Sequence, residues 1–263
     1  MANYYYLIAG LPDISFDDSK AAFSLEQFRT EVFDALSAAD RKVMDMLLLE
    51  DSCRGFIGSE RMEELVADVK AGEDKRKDVP AFMYTFVQEW VDESWRQKAA
   101  FAEDRLWALF YEYAMTAGNG FVRSWYEFNL NMNNIMAAIT ARKYSLDIQK
   151  VIVGQNDIAH ALRTSGARDW GLSQELDYFE DVARLTEEDD LSQRERKADQ
   201  IRWRWLEDNT FFDYFTVERL FSYMVRLGMV ERWSSLDKEK GQQLFRELIG
   251  TLKDQTEVPA EFR

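Results

Sequence analysis

The sequence predicts an all-α protein assembled from several helical bundles. Three prolines in 263 residues leave long spans without a helix breaker. Apolar side chains recur at helical spacing along most of the chain, as Leu25, Phe28 and Val32 do. Hydrophobic residues make up 46% of the chain and aromatic residues 14%, which is enough for more than one compact core. We therefore expect two or three helical subdomains that pack as one body.

The N-terminal residues 4–14, YYYLIAGLPDI, predict the one exception to helix. They are rich in β-forming side chains, and Leu11 precedes a proline, which disfavours helical backbone. We expect a short extended segment that packs on the helices. Ser24 then opens the first helix as an N-cap, with Gln27 at the capping-box position three residues later.

Glycine, proline and the apolar period predict the helices that follow. We expect helices that end near Gly55 and Gly72, one from Pro80 to Ala117, one that ends near Tyr144, and others near 156–164, 172–184, 190–207, 213–227 and 237–252. Gly118-Asn119-Gly120 is the clearest turn. The elements group into three segments, 1–79, 80–150 and 151–263.

The pattern G-[FM]-V-x-x-W occurs twice, at 120–125 and at 228–233. Each copy follows an aromatic-rich predicted helix and precedes another helix. The repetition suggests one helix-turn-helix unit used twice, although so short a match also arises by chance. In this interpretation the glycine closes one helix, and Val and Trp hold the turn against the bundle.

The net charge of −15 restricts the classes of partner. With 33 Lys and Arg against 48 Asp and Glu, the chain lacks the excess of bases that nucleic-acid binding requires, and anionic lipid would repel it. A basic protein partner fits the charge, and so does simple solubility. No apolar run of about 18 residues predicts a membrane span. We expect a soluble cytoplasmic protein that binds no nucleic acid.

The chain carries few residues of the kinds that catalyse reactions or bind metals. Cys53 and His160 are the single cysteine and the single histidine, too few for a zinc site, and we expect a structural role for His160. No P-loop, G-x-G-x-x-G or G-x-S-x-G motif is present. We therefore expect no catalytic residue, metal or cofactor. One alternative is an all-helical enzyme that holds magnesium on acidic pairs such as Asp17-Asp18 or Asp189-Asp190.

One predicted helix carries four asparagines within six positions: Asn129, Asn131, Asn133 and Asn134. Each lowers helix stability by roughly half a kcal/mol relative to alanine. Wound at 100° per residue, they flank an apolar stripe, with Arg142 nearby. One explanation is that Asn129 or Asn131 is the N-cap of a helix that starts later. The other amides are expected to bond neighbouring backbone in a tightly packed helical seam.

The acidic tract Glu187–Asp190 precedes residues 194–204, which are rich in Lys and Arg. Acids early and bases late suit the helix dipole, so the pattern indicates a solvated helix face. The alternative is a docking surface on which Trp203 and Trp205 are the anchors.

The segment Asn134–Arg142, NIMAAITAR, resembles the N-L-x-x-[IL]-[IL]-R-A-K segment of the C (or d) subunit of archaeal and vacuolar-type rotary ATPases. The matching positions are Asn134, Ile135, Ile139, Ala141 and Arg142. Thr140 stands where that family has arginine, so the role of that arginine does not transfer. Residues 215–236 are a looser likeness of the family's final repeat, with Glu231 in the place of its acid but without its N-L pair.

The opening residues 3–18, NYYYLIAGLPDISFDD, resemble the start of an uncharacterised bacterial family. That family is encoded within vacuolar-type ATPase gene clusters that have no evident C subunit. The two resemblances therefore point to the same complex.

The resemblances imply a non-catalytic central-stalk subunit, shaped as a pseudo-threefold funnel of three-helix units. Its implied partners are the shaft subunits in its cavity and the membrane proteolipid ring on which it rests. It would pass torque between them during ion or proton transport, in the cytoplasm and peripheral to the inner membrane through the complex. A helical adaptor or regulatory protein with an unrelated partner is the alternative.

Replacing Asn133 and Asn134 together with alanine should stabilise an isolated helix through propensity alone. If both amides bond within a packed seam, the double variant should instead melt at a lower temperature than the unaltered protein. Circular dichroism followed against temperature measures the difference. An unchanged or higher melting temperature would contradict the seam explanation.

Overall fold

The computed structural model describes residues 4–21, 23–75, 77, 79–92 and 101–255, with side chains as far as residue 237. Every regular element in these ranges is an α-helix, which confirms the predicted all-α class. The helices are α1 Tyr5–Gly10, α2 Leu25–Phe33, α3 Ala38–Cys53, α4 Glu60–Lys70, α5 Ala81–Val91, α6 Ala102–Ala114, α7 Gly120–Lys143, α8 Ile148–Val151, α9 Asp157–Thr164, α10 Phe179–Leu185, α11 Leu191–Asn209 and α12 Val217–Gln255.

The chain divides into two compact units. The terminal unit comprises Met1–Leu36 and Asp213–Arg263, and the central unit is Ser37–Phe212. The first and last helices therefore belong to one unit although most of the sequence separates them. The predicted divisions at 79/80 and 150/151 both fall inside the central unit.

In the terminal unit, the N-terminal residues are fixed to α12 and to the residues just before it. The Tyr4 N–H donates to the Phe215 carbonyl at 2.9 Å, and the Tyr223 hydroxyl donates to the Pro12 carbonyl at 2.9 Å. The Phe28 ring of α2 stacks on the Tyr223 ring with centroids 5.5 Å apart. Helix α12 is thus the element on which the rest of this unit packs.

The predicted capping box at the start of α2 is confirmed. The Gln27 N–H donates to the Ser24 hydroxyl at 3.1 Å, and the Ser24 N–H donates to the Gln27 side-chain oxygen at 3.0 Å. Each residue satisfies a backbone donor that the first helical turn leaves without an intrahelical partner. The signal was readable in the sequence because the whole interaction lies within four residues.

The prediction of an extended N-terminal segment is wrong for Tyr5–Gly10, which form the short helix α1. The Ile8 N–H donates to the Tyr4 carbonyl at 3.0 Å, the bond of a helical turn. β-propensity measures how a side chain fits a pleated sheet surface, and the described residues contain no strand that could offer one. The backbone becomes extended only at Leu11, where the following proline disfavours helix.

The predicted final pair of helices is also wrong, because Val217–Gln255 is one continuous helix. Gly228 therefore closes no helix, whereas Gly120 begins α7 directly after its N-cap Asn119. The two G-[FM]-V-x-x-W segments do not form the same unit. A single glycine inside a helix costs about 1 kcal/mol of stability relative to alanine. The burial of apolar neighbours such as Leu227 and Val230 outweighs this cost.

Two further helix boundaries differ from the prediction. Helix α5 ends at Val91, because Asp92 takes an extended conformation, so the predicted helix from Pro80 to Ala117 is interrupted. Residues 93–100 lie outside the described residues. The predicted helix 172–184 begins only at Phe179, after turns that include Trp170 and Gly171 with positive φ.

Helix α7 lies at the centre of the central unit and packs against α6, α8, α9 and α10. Tyr126, Met132 and Ile135 are fully buried on it, and the Phe110 ring of α6 meets the Tyr126 ring edge-on at 5.1 Å. A buried side chain of this size contributes about 2 kcal/mol through removal of apolar surface from water. The α3–α6, α4–α5, α5–α6, α8–α9 and α10–α11 pairs also pack together.

Helices α7 and α12 have 24 and 39 residues, longer than the roughly 20 residues that a membrane crossing requires. Charged and amide side chains interrupt the apolar sequence of both. Among the described residues, none of the helices combines the length and the apolar composition of a membrane-spanning segment.

Replacing Gly228 with alanine should raise the free energy of unfolding by up to about 1 kcal/mol, because a Cβ there meets no atom within 4 Å. The matched control is Gly154→Ala, which should destabilise the protein. Gly154 has φ +79°, and its Cβ would lie 2.9 Å from a Leu130 methyl carbon. Urea denaturation measures both. A loss of stability in Gly228→Ala would contradict the continuous helix.

Candidate functional site

The four asparagines of α7 occupy different environments. Asn129, Asn131 and Asn134 are buried, whereas Asn133 is exposed. None of the four is an N-cap, because Asn119 caps the helix: its side-chain oxygen accepts the Val122 N–H at 3.0 Å. The N-cap explanation for Asn129 or Asn131 is therefore wrong. Each buried amide therefore needs hydrogen-bond partners other than the free N–H groups of the first helical turn.

Asn134 binds the backbone of Val153 through both ends of its amide. The Asn134 side chain donates to the Val153 carbonyl at 2.7 Å, and the Val153 N–H donates to the Asn134 oxygen at 2.9 Å. The pair reproduces the bonding that a neighbouring strand would give this peptide. It fixes the loop before α9 onto α7, next to Gly154.

Asn131 positions the start of α9 through a second asparagine. The Asn156 side chain donates to the Asn131 oxygen at 2.8 Å, while its own oxygen accepts the Ala159 N–H at 3.0 Å as the N-cap of α9. Tyr178 also lies beside Asn131, and burial raises the pKa of Tyr178 to about 12. Asn131 thus holds the capping residue in the orientation that the cap requires.

Asn129 joins α7 to Arg202 of α11. The Arg202 Nε–H donates to the Asn129 oxygen at 2.9 Å, and the Asn129 NH₂ donates to the Trp125 carbonyl at 2.8 Å. The Arg202 guanidinium also donates to Asp199 at 3.1 Å and makes a longer contact of 3.5 Å with the Asn133 oxygen. Burial lowers the pKa of Arg202, and Asp199 is 2% exposed. Asp199 and Arg202 both lie on α11, and with 3% and 18% side-chain exposure they form the most deeply buried salt bridge between described residues.

The hydrogen bonds continue from Asn133 towards α6. The Asn133 NH₂ donates to the Tyr111 hydroxyl at 3.3 Å. Burial raises the pKa of Tyr111, and the nearby Glu50 carboxylate adds to the rise while Arg202 opposes it. Asn133 is thus exposed yet engaged on two sides.

Glu50 of α3 and Tyr126 of α7 form a second hydrogen-bonded group, close enough to Tyr111 for their charges to affect one another. The Tyr126 hydroxyl lies 3.2 Å from both the Glu50 carboxylate and the Met46 carbonyl. Burial raises the pKa of Glu50, although its side chain keeps 24% of its surface exposed, and Arg54 opposes the rise. Burial also raises the pKa of Tyr126, so its hydroxyl stays protonated. We call these two neighbouring groups of side chains, from α3, α6, α7 and α11, the polar seam; its members are Glu50, Tyr111, Tyr126, Asn129, Asn133, Asp199 and Arg202.

Arg142 fastens the C-terminal end of α7 to the loop that precedes α10. Its guanidinium donates to the carbonyls of Ala167 at 3.0 Å and Arg168 at 2.6 Å. It also lies 3.7 Å from the centre of the Trp170 ring, within the range of a cation–π interaction. Trp170 has φ +55°, so the loop takes an uncommon backbone conformation directly beneath Arg142.

The remaining candidates from the sequence also make contacts within their own units. Trp203 is 7% exposed, and Trp205 stacks on Phe128 with centroids 5.2 Å apart and planes at 15°. Glu231 of α12 accepts the Leu25 N–H at 2.8 Å and so caps α2. Whether any of these residues contacts a partner stays a prediction, but the Trp203 ring has little surface left for one.

One residue of each acidic pair considered for magnesium accepts a hydrogen bond from nearby backbone. Asp18 accepts the Ser15 N–H at 2.7 Å, and Asp190 is the N-cap of α11. Within the described part of the chain, no group of three or more His, Cys, Asp and Glu side chains could hold a metal ion. Burial raises the pKa of the Cys53 thiol to about 12, which keeps it in the weakly nucleophilic form.

The sequence singled out the asparagines of α7 but not their partners or the other members of the polar seam. Glu50 and Tyr126 are 76 positions apart, and no spacing rule links them. Arg202 stood out only as one base in a basic stretch. The partner of Asn131 is Asn156, which a sequence signal could have found, because an asparagine at the start of the predicted helix 156–164 is a typical N-cap.

Replacing Arg202 with alanine should destabilise the protein by about 3 kcal/mol, because it removes the guanidinium that the buried Asp199 contacts. Arg204→Ala is the matched control on the same helix. Its salt bridge to Asp181 joins side chains that are 65% and 36% exposed, so the loss should be under about 1 kcal/mol. Urea denaturation measures both variants. Equal losses would show that the seam adds no stability.

Comparison with known proteins supplies the family. No curated protein and no solved structure is detectably similar to the chain. A family model described as "Protein of unknown function (DUF2764)" matches residues 1–256. The match covers nearly the whole sequence, including α7 and every side chain of the polar seam. The chain therefore belongs to the DUF2764 family.

Proposed function

We propose that the chain is a non-catalytic rotor subunit, similar to the C/d subunit of vacuolar-type ATPases, that couples a central shaft to a membrane proteolipid ring. The observation that carries the proposal is the position of the segment Asn134–Arg142, which resembles that subunit. It lies on α7, and its first and last residues each bind the backbone of a segment that follows in the chain.

The geometry of these two fastenings suits a mechanical part. Asn134 and Arg142 are eight residues apart, or about 12 Å along the helix axis. Asn134 holds Val153, and Arg142 holds Ala167 and Arg168. A segment held at two points cannot pivot about either one, so a load applied to it passes into α7. A torque-transmitting subunit needs stiffness of this kind and needs no chemistry.

The other matching positions support the same interpretation. Ile135 and Ala141 are buried, as the apolar and small positions of a packed helix should be. Thr140, where the resembling family has arginine, is exposed. The departure therefore changes the surface that a partner would meet and leaves the packing of α7 intact.

In this proposal the partners are the shaft subunits and the proteolipid ring, and the chain reaches the membrane only through the ring. The side-chain chemistry of the seam serves to hold helices together, because each ionisable member bonds to another seam residue or to backbone. A helical adaptor for an unrelated partner would use the same stiffness. The partners it binds distinguish the two.

The test is reconstitution of a vacuolar-type rotary ATPase from the same organism in liposomes, with and without the purified chain. We expect the chain to co-elute with the shaft subunits on size exclusion. We also expect that omitting it leaves ATP hydrolysis largely intact but abolishes ATP-driven ion pumping, measured with a fluorescent ion-gradient dye. Equal pumping with and without the chain, or no association with shaft or ring, would overturn the proposal.

Two neighbouring variants separate stiffness from charge. Arg142→Ala removes the fastening at Ala167 and Arg168, and we expect fewer ions pumped per ATP hydrolysed. Lys143→Ala removes the same charge one residue later, where the side chain lies 5.6 Å over the Tyr144 ring, and should pump as the unaltered chain does. Equal behaviour of the two variants would contradict the role of the fastening.

A further inference from the structure

Four aromatic rings form a continuous row on the terminal unit. The successive ring centroids of Tyr6, Tyr5, Phe215 and Tyr214 are 5.5, 4.8 and 6.3 Å apart. Tyr6 is 90% exposed, Tyr214 60% and Tyr5 52%. Contiguous exposed aromatic surface of this kind is typical of protein interaction sites, where Tyr and Phe are enriched.

The row is built by the fold, because its rings come from opposite ends of the sequence. The Tyr4 N–H bond to the Phe215 carbonyl places α1 beside the residues that precede α12. Tyr4 itself is buried, so the turn that carries Tyr5 and Tyr6 is anchored from below. Rings held on a fixed backbone lose little conformational entropy when a partner covers them.

The segments that supply the rings are acidic. Residues 4–20 and 213–219 contain five acids against two bases, Lys20 and Arg219. The acids are Asp13, Asp17, Asp18, Asp213 and Glu218. Burial and the neighbouring Glu218 carboxylate both raise the pKa of Asp213, which places two of these carboxylates close together. Carboxylates and aromatic faces both attract cations.

The rings and the nearby acids together suit an amphipathic helix, because its apolar stripe would cover the rings while basic side chains beside the stripe would meet the carboxylates. We infer that the aromatic row Tyr6–Tyr5–Phe215–Tyr214 is a docking surface for a basic amphipathic helix of a partner protein. The inference is independent of the rotor proposal, because it rests on the terminal unit alone.

The acidic charge favours a basic helix over two other possible occupants of the row, a second copy of the chain and an anionic lipid surface. A second copy of the chain would bring the same acids against themselves, and like charges in contact oppose association. An anionic lipid surface would be repelled for the same reason. A helix with Lys or Arg flanking an apolar stripe satisfies both the rings and the carboxylates.

The test uses the full chain and two synthetic 18-residue helical peptides, one of Leu and Lys and one in which every Lys is Glu. Binding is followed by fluorescence anisotropy of labelled peptide at physiological salt, which screens long-range attraction. We expect the Lys peptide to bind. The double variant Tyr6→Ser/Tyr214→Ser should bind it at least about tenfold more weakly, because it loses the two most exposed aromatic contacts of the row.

The control variant is Tyr144→Ser, which removes a tyrosine that is 63% exposed on the central unit and should leave binding unchanged. Far-UV circular dichroism verifies that both variants fold. Equal binding of the Glu peptide, or an equal loss in Tyr144→Ser, would overturn the inference. Two further results for the double variant would also overturn it. A changed oligomeric state by sedimentation would assign the row to a second copy of the chain. Lost binding to neutral phosphatidylcholine vesicles would assign the row to lipid.

Discussion

Burial of amide side chains on a helix constrains everything packed against that helix, because a buried amide without hydrogen-bond partners costs about 1 to 3 kcal/mol. Helix α7 buries three asparagines, and each takes a partner from a different part of the central unit: Arg202 of α11, the N-cap residue Asn156, and the Val153 peptide. The apolar contacts of α7 tolerate small shifts. These directional bonds do not, so they fix the register of the surrounding elements.

The same constraint explains why ionisable groups tolerate burial in this unit. Glu50, Tyr126 and Arg202 have pKa values shifted by burial in the direction of their neutral forms, and each lies in hydrogen-bonding contact with a neighbour. Such networks are costly when one member is missing and rigid when all are present. That combination suits a part that carries load between other subunits, which is the role that the resemblance of Asn134–Arg142 implies.

The sequence predicted those elements whose determinants are local. The Ser24–Gln27 capping box, helix α9 and helix α11 each depend on signals within a few residues, and all three are present. It failed where packing outweighed a local signal. Tyr5–Gly10 are helical against their β-propensity, and Gly228 lies inside a helix that it was expected to end. A single glycine is a weak signal for the end of a helix, because glycine inside a helix costs only about 1 kcal/mol relative to alanine.

By itself the sequence determined the all-α class, the position of the asparagine-rich helix, the acidic balance and the scarcity of histidine and cysteine, because these follow from composition and from interactions within one or two helical turns. Only the tertiary structure decided which residues partner the asparagines, since Arg202 reaches Asn129 from α11 and Asn156 reaches Asn131 from the start of α9. The tertiary structure also placed Tyr5 beside Phe215. Contacts between distant segments leave no period in the sequence, because they depend on how whole helices pack.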